Sequence, residues 1–439
     1  MFLLPFIYFS LLSYYFYRKQ EGVTIAVYMS ALYAITGFCA IITIMNGYLG
    51  GDGGILFDNS NAEFGILPTI IYCGVLTATL WPFTRFNNTK IRHVEVINPK
   101  ILDIFGIFLI LMSLLNLYLV ADSTMDILNG DFKELRNAHY DGEESFASIK
   151  AQSIPYVYYI YLLNIATIFA LPLAFYNIAH HRRPWWFNAL LLFASLSRPL
   201  AGIQTADRTE MAFFALMAVF TLILFWREIT LRAKIILAAA AAPVIVGMAL
   251  YVSAVSTDRF EKTYAGPLGA AIQYVGQGYI NFCYFWENAK SDYIATERVF
   301  PLYNRIFTGI VSQSDRLKER SAQHGFFVSV FPTFIGDILL DLTLPGMLLW
   351  VLAFIAICHR FIPSTDDPDT VVHAADYLIV FALATIPTFG VFYYRYHNFQ
   401  STIMILCVLL VAYLSKYTFS FSVNDDDDDK DDPDPKDGE

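Results

Sequence analysis

The 439-residue chain is 56% hydrophobic and 16% aromatic, with a formal net charge of −10. Apolar runs near the roughly 20 residues that cross a bilayer recur along it, which excludes a soluble globular enzyme. Membrane strands would need alternating apolar segments of about ten residues, and none are present. The expected fold class is therefore all-α, a polytopic helical bundle in a membrane.

In chain order the apolar runs fall at Phe2–Tyr17, Val23–Met45, Phe64–Phe83, Ile101–Ala121, Ile154–Ile178, Phe187–Ile203, Glu210–Trp226, Ile235–Val255, Pro345–Phe361, Tyr377–Tyr394 and Phe399–Tyr417. They predict about eleven transmembrane helices. The first has no basic segment before it and no small-residue cleavage pattern after it, so it reads as a retained span. Basic residues cluster in alternate connections: Arg18 and Lys19; Arg85, Lys90, Arg92 and Lys100; Arg182 and Arg183; Arg227, Arg232 and Lys234. Such turns face the cytoplasm. The loops Asn46–Glu63, Asp122–Ser153, Gln204–Thr209 and Ser256–Gln323 then face outward.

Four regions follow. Residues 1–255 hold helices one to eight, and 256–344 form a large outer, periplasmic loop with interfacial or re-entrant helices. Residues 345–423 hold helices nine to eleven. The tail at 424–439, "NDDDDDKDDPDPKDGE", carries most of the net charge and reads as a disordered cytoplasmic segment. The stretch Phe326–Phe361 is too long for one span, and Pro345–Gly346 offers a break. It is read as an interfacial or re-entrant helix over Phe326–Leu342, then a span from Pro345; one long tilted helix is the alternative.

Every cytoplasmic loop is short, the longest being Phe86–Ile101, and no phosphate-binding glycine pattern follows a strand. No nucleotide-binding domain fits inside the cell, which argues against ATP-driven pumps and transferases fed by soluble sugar nucleotides. Five cysteines scattered among the spans imply neither a disulfide framework nor a metal site. No metal and no cofactor is expected, and no nucleic-acid partner.

Four polar clusters lie on the outer side. In "SRPLAGIQTADRTE", Arg198 and Arg208 sit against the usual charge bias; a snorkelling arginine is the plain alternative. Arg316, Arg320 and His324 recur at i, i+4, i+8, sharing one helix face with a drift of about 40° per step. Their mutual repulsion would be relieved by an anion, or by neighbouring Asp315 and Glu319. Asp337 and Asp341, also i, i+4, lie among leucines and isoleucines. Burying each costs about 2.5–3.5 kcal/mol at membrane depth, so both demand cations or a proton. A purely structural ion-pair network satisfies that demand as well as a functional site does. Finally "FYYRYHNF" places Arg395 and His397 in a tight turn. Tyr274, Tyr279, Phe282 and Trp286 could stack on sugars or simply pack a core.

The order of these features, an arginine where an outer turn begins a span ("ADRTE"), a large outer loop, then "HGFFVSVFPTFIGDILLDLTLPG", resembles the bacterial O-antigen and oligosaccharide-repeat polymerases of the Wzy type. The specific part is confined to Arg208 and the residues around Thr333, Gly336, Asp337 and Asp341. The chain departs from the family where Ala206 and Asp207 replace small residues before the arginine, and where Leu342-Thr343 replaces an aromatic-glycine pair. The resemblance implies a GT-C-like bundle in the bacterial inner membrane with its active site facing the periplasm. The implied reaction is glycosyl transfer joining polyprenyl-diphosphate-linked oligosaccharide repeats, as donor and acceptor, into a polysaccharide. Membrane lipids and a chain-length regulator protein are the further implied partners.

In that reaction Arg208, Arg316, Arg320 and Arg395 would hold the diphosphate, since a guanidinium fork matches phosphate oxygens. His324, Asp337 or Asp341 would take or orient the acceptor proton. His324 is the first choice because an imidazole is mostly neutral near pH 7. Arg198 and His397 are additional candidates. Two other readings stay open: an O-antigen ligase handing a finished glycan to lipid A core or protein, and a transporter or flippase whose acids bind protons and whose arginines bind cargo.

Overall fold

A computed structural model describes residues 1–47, 64–129, 154, 163–203, 208–260, 266–289, 296–307, 313–326, 328, 331–367 and 370–416. The expectations for most of the loops at 46–63, 122–153 and 204–209, and for the acidic tail, lie outside these. Within them the chain is helical except for one short ladder, in which β1 (His93–Glu95) pairs in parallel with β2 (Val371–His373), His93 opposite Val371.

The helices of the first half are α1 (Leu4–Gln20), α2 (Ile25–Met45), α3 (Ile66–Leu80), α4 (Pro99–Asn129), α5 (Ala170–Ala179), α6 (Trp185–Ser195), α7 (Ser197–Ile203) and α8 (Thr209–Leu224). Then come α9 (Leu231–Phe260), α10 (Gly266–Asn288), α11 (Pro301–Phe307), α12 (Gln313–His324), α13 (Thr333–Phe361), α14 (Ala374–Phe389) and α15 (Phe399–Ser415). Six stretches are long and apolar enough to cross a membrane: Ile25–Met45, Ile66–Arg85, Pro99–Ala121, Trp185–Ile203, Leu231–Thr257 and Thr333–Phe361. Four shorter apolar helical stretches, Leu163–Ala179, Thr209–Leu224, Ala374–Phe389 and Phe399–Ser415, run beside them. The chain is thus a multi-pass helical membrane protein.

The post of the bundle is α14, "AADYLIVFALATIPTF", apolar almost all round and buried at every residue. It touches α2, α3, α5, α8, α13 and α15. An apolar interior leaves hydroxyls no water, so they turn back on their own helices: Ser30 donates to the Ala26 carbonyl at 2.9 Å, Thr77 to Cys73 at 2.8 Å and Thr221 to Met217 at 2.7 Å. Asn398 starts α15 by accepting from the Ser401 amide at 2.8 Å.

The basic turns come together at one end. Arg85 donates to the His359 carbonyl at 2.9 Å, Arg182 to that of Pro99 at 2.9 Å and Arg227 to that of Thr89 at 3.0 Å. Lys416 meets Asp376 at 2.5 Å in the same region, where β1 and β2 tie the segment after α3 to the segment before α14. Arg198, Arg208, Asp337 and Arg395 belong to the opposite helix ends.

Two differences from the sequence reading matter for the site. First, within 256–344, α10 packs lengthwise on α2, and a Cβ on Gly276 would lie 2.5 Å from the backbone of Cys39 and Ala40. Only glycine permits that approach. Second, the break expected at Pro345–Gly346 falls at Thr343, whose φ of 59° and ψ of −179° interrupt α13. Pro345 has no N–H for the carbonyl four residues earlier and its ring crowds the preceding turn, so the helix is interrupted in that turn, N-terminal to the proline. The first half of α13 begins at Thr333 rather than Phe326.

Candidate functional site

The site hangs from the turn between α14 and α15. Two helix-start amides of α13 have no intrahelical acceptor, and this turn supplies one to each: Thr333 N donates to the Phe392 carbonyl at 3.0 Å and Phe334 N to that of Gly390 at 2.9 Å. In return, Tyr394 N donates to Asp337 Oδ2 at 2.8 Å. Glycines permit the fit. A Cβ on Gly390 would lie 2.5 Å from Phe334 Cδ1, and one on Gly278 of α10 would lie 2.7 Å from Thr333 Cγ2 and 2.9 Å from the Val391 carbonyl.

Asp337 and Asp341 both point inward from this helix and are fully buried. Asp337 Oδ1 pairs with Arg298 at 2.8 Å. Asp341 pairs with Arg320, and its Oδ2 accepts the amides of Arg298 and Val299 at 2.8 and 2.9 Å. The two acids therefore find two cations, as burial requires. Arg320 is itself only 2% exposed, and its Nε and Nη1 meet no hydrogen-bond acceptor among the described residues.

A second cluster adjoins the first through one peptide unit. Arg395, next to Tyr394, places Nη2 2.9 Å from both oxygens of Glu210, and Arg198 Nη2 reaches Oε1 of the same carboxylate at 2.7 Å. The Arg395 guanidinium lies over the rings of Phe213 and Phe389, 4.3 and 5.3 Å from their centroids. Burial is the largest influence on Arg395 and works to lower its pKa, but Glu210 and Tyr393 together outweigh it, so the net shift is upward and the group stays charged. Two guanidiniums share one carboxylate here, so this cluster carries net positive charge.

Arg208, at the start of α8, donates from Nη1 to Ser256 Oγ at 2.7 Å and lies 5.3 Å above the Tyr274 ring. His324 is buried at the end of α12, its ring 5.6 Å from Phe326. Arg316 belongs to the same helix, with a side chain outside the described residues. His397 places Nδ1 2.9 Å from the Tyr394 carbonyl. A carbonyl only accepts, so Nδ1 is the donor in this contact.

Of the residues singled out from sequence, Arg320, Asp337 and Asp341 form one cluster and Arg198 and Arg395 the other, with Arg208 and His397 at the flanks. Arg298 and Glu210 were not singled out. Charge accounting would have pointed to both: two buried aspartates need a second cation besides Arg320, and two arginines at membrane depth need an acid. Among the described residues, no group of three or more His, Cys, Asp or Glu could hold a metal ion. No protein-family model, curated protein or solved structure matches the chain.

Proposed function

We propose that the chain is a membrane glycosyltransferase, a Wzy-type polymerase that joins polyprenyl-diphosphate-linked oligosaccharide repeats at the periplasmic face of the bacterial inner membrane. The observation that carries this reading is a surplus of fixed guanidinium. Among the described residues, the ion pairs at the end of the bundle opposite the basic turns join four arginines, Arg198, Arg298, Arg320 and Arg395, to three acids, Glu210, Asp337 and Asp341, while Arg208 donates to Ser256.

Departure of a diphosphate builds negative charge, and preorganised donors lower that barrier most where water is excluded. Arg320 and Arg395 are already held in place, the first with two nitrogens that meet no acceptor among the described residues. In this reading Asp337 and Asp341 are positioning residues. Asp337 orients Arg298 and the α14–α15 turn, and Asp341 orients Arg320. A membrane-anchored donor needs no nucleotide pocket, in keeping with the short loops at the basic end.

Purified protein given a synthetic lipid-diphosphate repeat is expected to lengthen the glycan without nucleotide. Arg208→Ala, which removes a half-buried side chain, is expected to slow that reaction while the fold survives. Failure of the wild-type protein to elongate any lipid-linked repeat would end the reading. In a deletion strain, single repeats on the lipid core mark a lost polymerase, whereas polymer stranded on the carrier lipid marks a lost ligase.

A further inference from the structure

The segment that leads into α11 is bound to the charge cluster on one side and bare on the other. Arg298 and Val299 give their amides to Asp341, and the Arg298 guanidinium pairs with Asp337. Helix α11 follows at once. Thr296 Oγ1 donates to Asn304 Oδ1 at 3.1 Å and the Phe300 amide to the Thr296 carbonyl at 2.8 Å, so Arg298 and the first turn of α11 form one compact unit.

At about 100° per residue, Phe300, Tyr303, Ile306 and Phe307 fall within one arc of about 120°. They are 46, 54, 64 and 70% exposed. Pro301 and Asn304 occupy the adjoining arc and are buried. The Tyr303 and Phe307 rings pack together with centroids 4.7 Å apart, which makes the exposed side a continuous apolar patch. Such a patch is poorly solvated by water and marks a surface that something else covers.

Its depth follows from α13. His359, near the end of that helix, belongs to the basic turns, where its carbonyl accepts from Arg85. From Phe361 back to Asp341 the helix runs about 30 Å at 1.5 Å per residue, the thickness of the hydrocarbon layer. Asp341, and with it Val299, therefore stands at the far boundary of that layer. Helix α11 packs on α15, an apolar helix that itself exposes Leu406, Leu410 and Tyr413. By contrast the stretch expected from sequence to lie at the interface, the first half of α13, is buried from Thr333 to Asp341.

We infer that α11 is an interfacial anchor: Phe300, Tyr303, Ile306 and Phe307 insert among the headgroups and upper acyl chains of the outer leaflet, and the leaflet thereby holds Arg298 and Val299 against Asp337 and Asp341. Aromatic rings gather at that boundary because they are apolar in body and tolerate a wet edge. Of the four side chains only that of Tyr303 carries a polar group, a phenol that reaches headgroup level from such a depth. Neither the anchor nor its hold on the cluster depends on the proposed reaction.

The test uses full-length protein in nanodiscs of phosphatidylethanolamine and phosphatidylglycerol. A nitroxide label is attached in Phe307→Cys, in a Cys407→Ser background because Cys407 is exposed. Its collisions with molecular oxygen, which concentrates in lipid, are expected to exceed those with a water-soluble nickel chelate. Collisions dominated by the nickel chelate, meaning water, or few collisions with either, meaning cover by protein, would overturn the anchor.

Hydrogen exchange of the peptide spanning Arg298 and Val299 reads the hold on the cluster. Ile306→Ser combined with Phe307→Ser is expected to speed that exchange about tenfold while α14 stays protected, with Phe307→Ser alone intermediate and Phe307→Trp unchanged. Equal exchange in the wild type and in the variants carrying Phe307→Ser would overturn the coupling.

Discussion

The amide of Tyr394 is bonded to Asp337 at 2.8 Å, while the side chain of the very next residue, Arg395, is bonded to both oxygens of Glu210. A single peptide unit thus joins two buried charge clusters that draw on α8, α13 and the α14–α15 turn. Disturbing either cluster should be felt in the other.

Removing one partner of a buried ion pair leaves the other charge stranded, at a cost of about 3–5 kcal/mol. Asp337→Asn, which strands Arg298, is therefore expected to lower thermal stability in detergent sharply. The double variant Asp337→Asn with Arg298→Met should recover much of the loss, because a stranded charge costs more than a missing pair. A double variant no more stable than the single one would show that the pair is not coupled.

Arg395→Lys keeps the charge but replaces a planar fork, lying over two rings and bonded to two oxygens, with a point charge. Elongation of lipid-linked repeats is expected to fall about tenfold or more, with the helical circular dichroism unchanged. A rate equal to wild type would remove Arg395 from the site.

Gly278 has no room for a side chain. In Gly278→Ala the new methyl would press on Thr333 and on the Val391 carbonyl, which are held by the docking of α13 on the turn. Overpacking of this kind costs about 1–3 kcal/mol, and the melting temperature is expected to drop accordingly. An unchanged melting curve would mean that α10 lies farther from the turn.

Thr343 occupies a backbone region, φ 59° and ψ −179°, that is nearly reserved for glycine. Relief of this strain in Thr343→Gly is expected to raise stability by about 1 kcal/mol, measured by thermal unfolding. The position is the one where the family resemblance calls for glycine, so the variant should also retain activity. Destabilisation would show that the threonine side chain contributes more than its backbone costs.

Six of the about eleven spans expected from sequence are helices long and apolar enough to cross a bilayer, and they were legible because a bilayer imposes a length and a polarity that few soluble helices meet. The alternation of basic turns likewise anticipated which helix ends would meet. What it could not deliver was partnership. Arg298 is an ordinary arginine in a long loop until α13 brings Asp337 to it, and Glu210 looks like a helix-start acid until Arg198 and Arg395 arrive from opposite directions. The docking of α10 was hidden for a related reason: Gly276 and Gly278 read as loop punctuation, whereas they are the places where backbones touch.

The clamp on Arg395 has a kinetic corollary. A guanidinium braced by two phenyl rings and by both oxygens of Glu210 samples few rotamers, so in the proposed reaction it would meet an arriving phosphoryl group with most of its orientational freedom already removed. Each turnover then begins from the same geometry. In the proposed reaction the tempo of polymer growth would then follow how quickly the departing carrier vacates that seat, and not a side chain swinging into position.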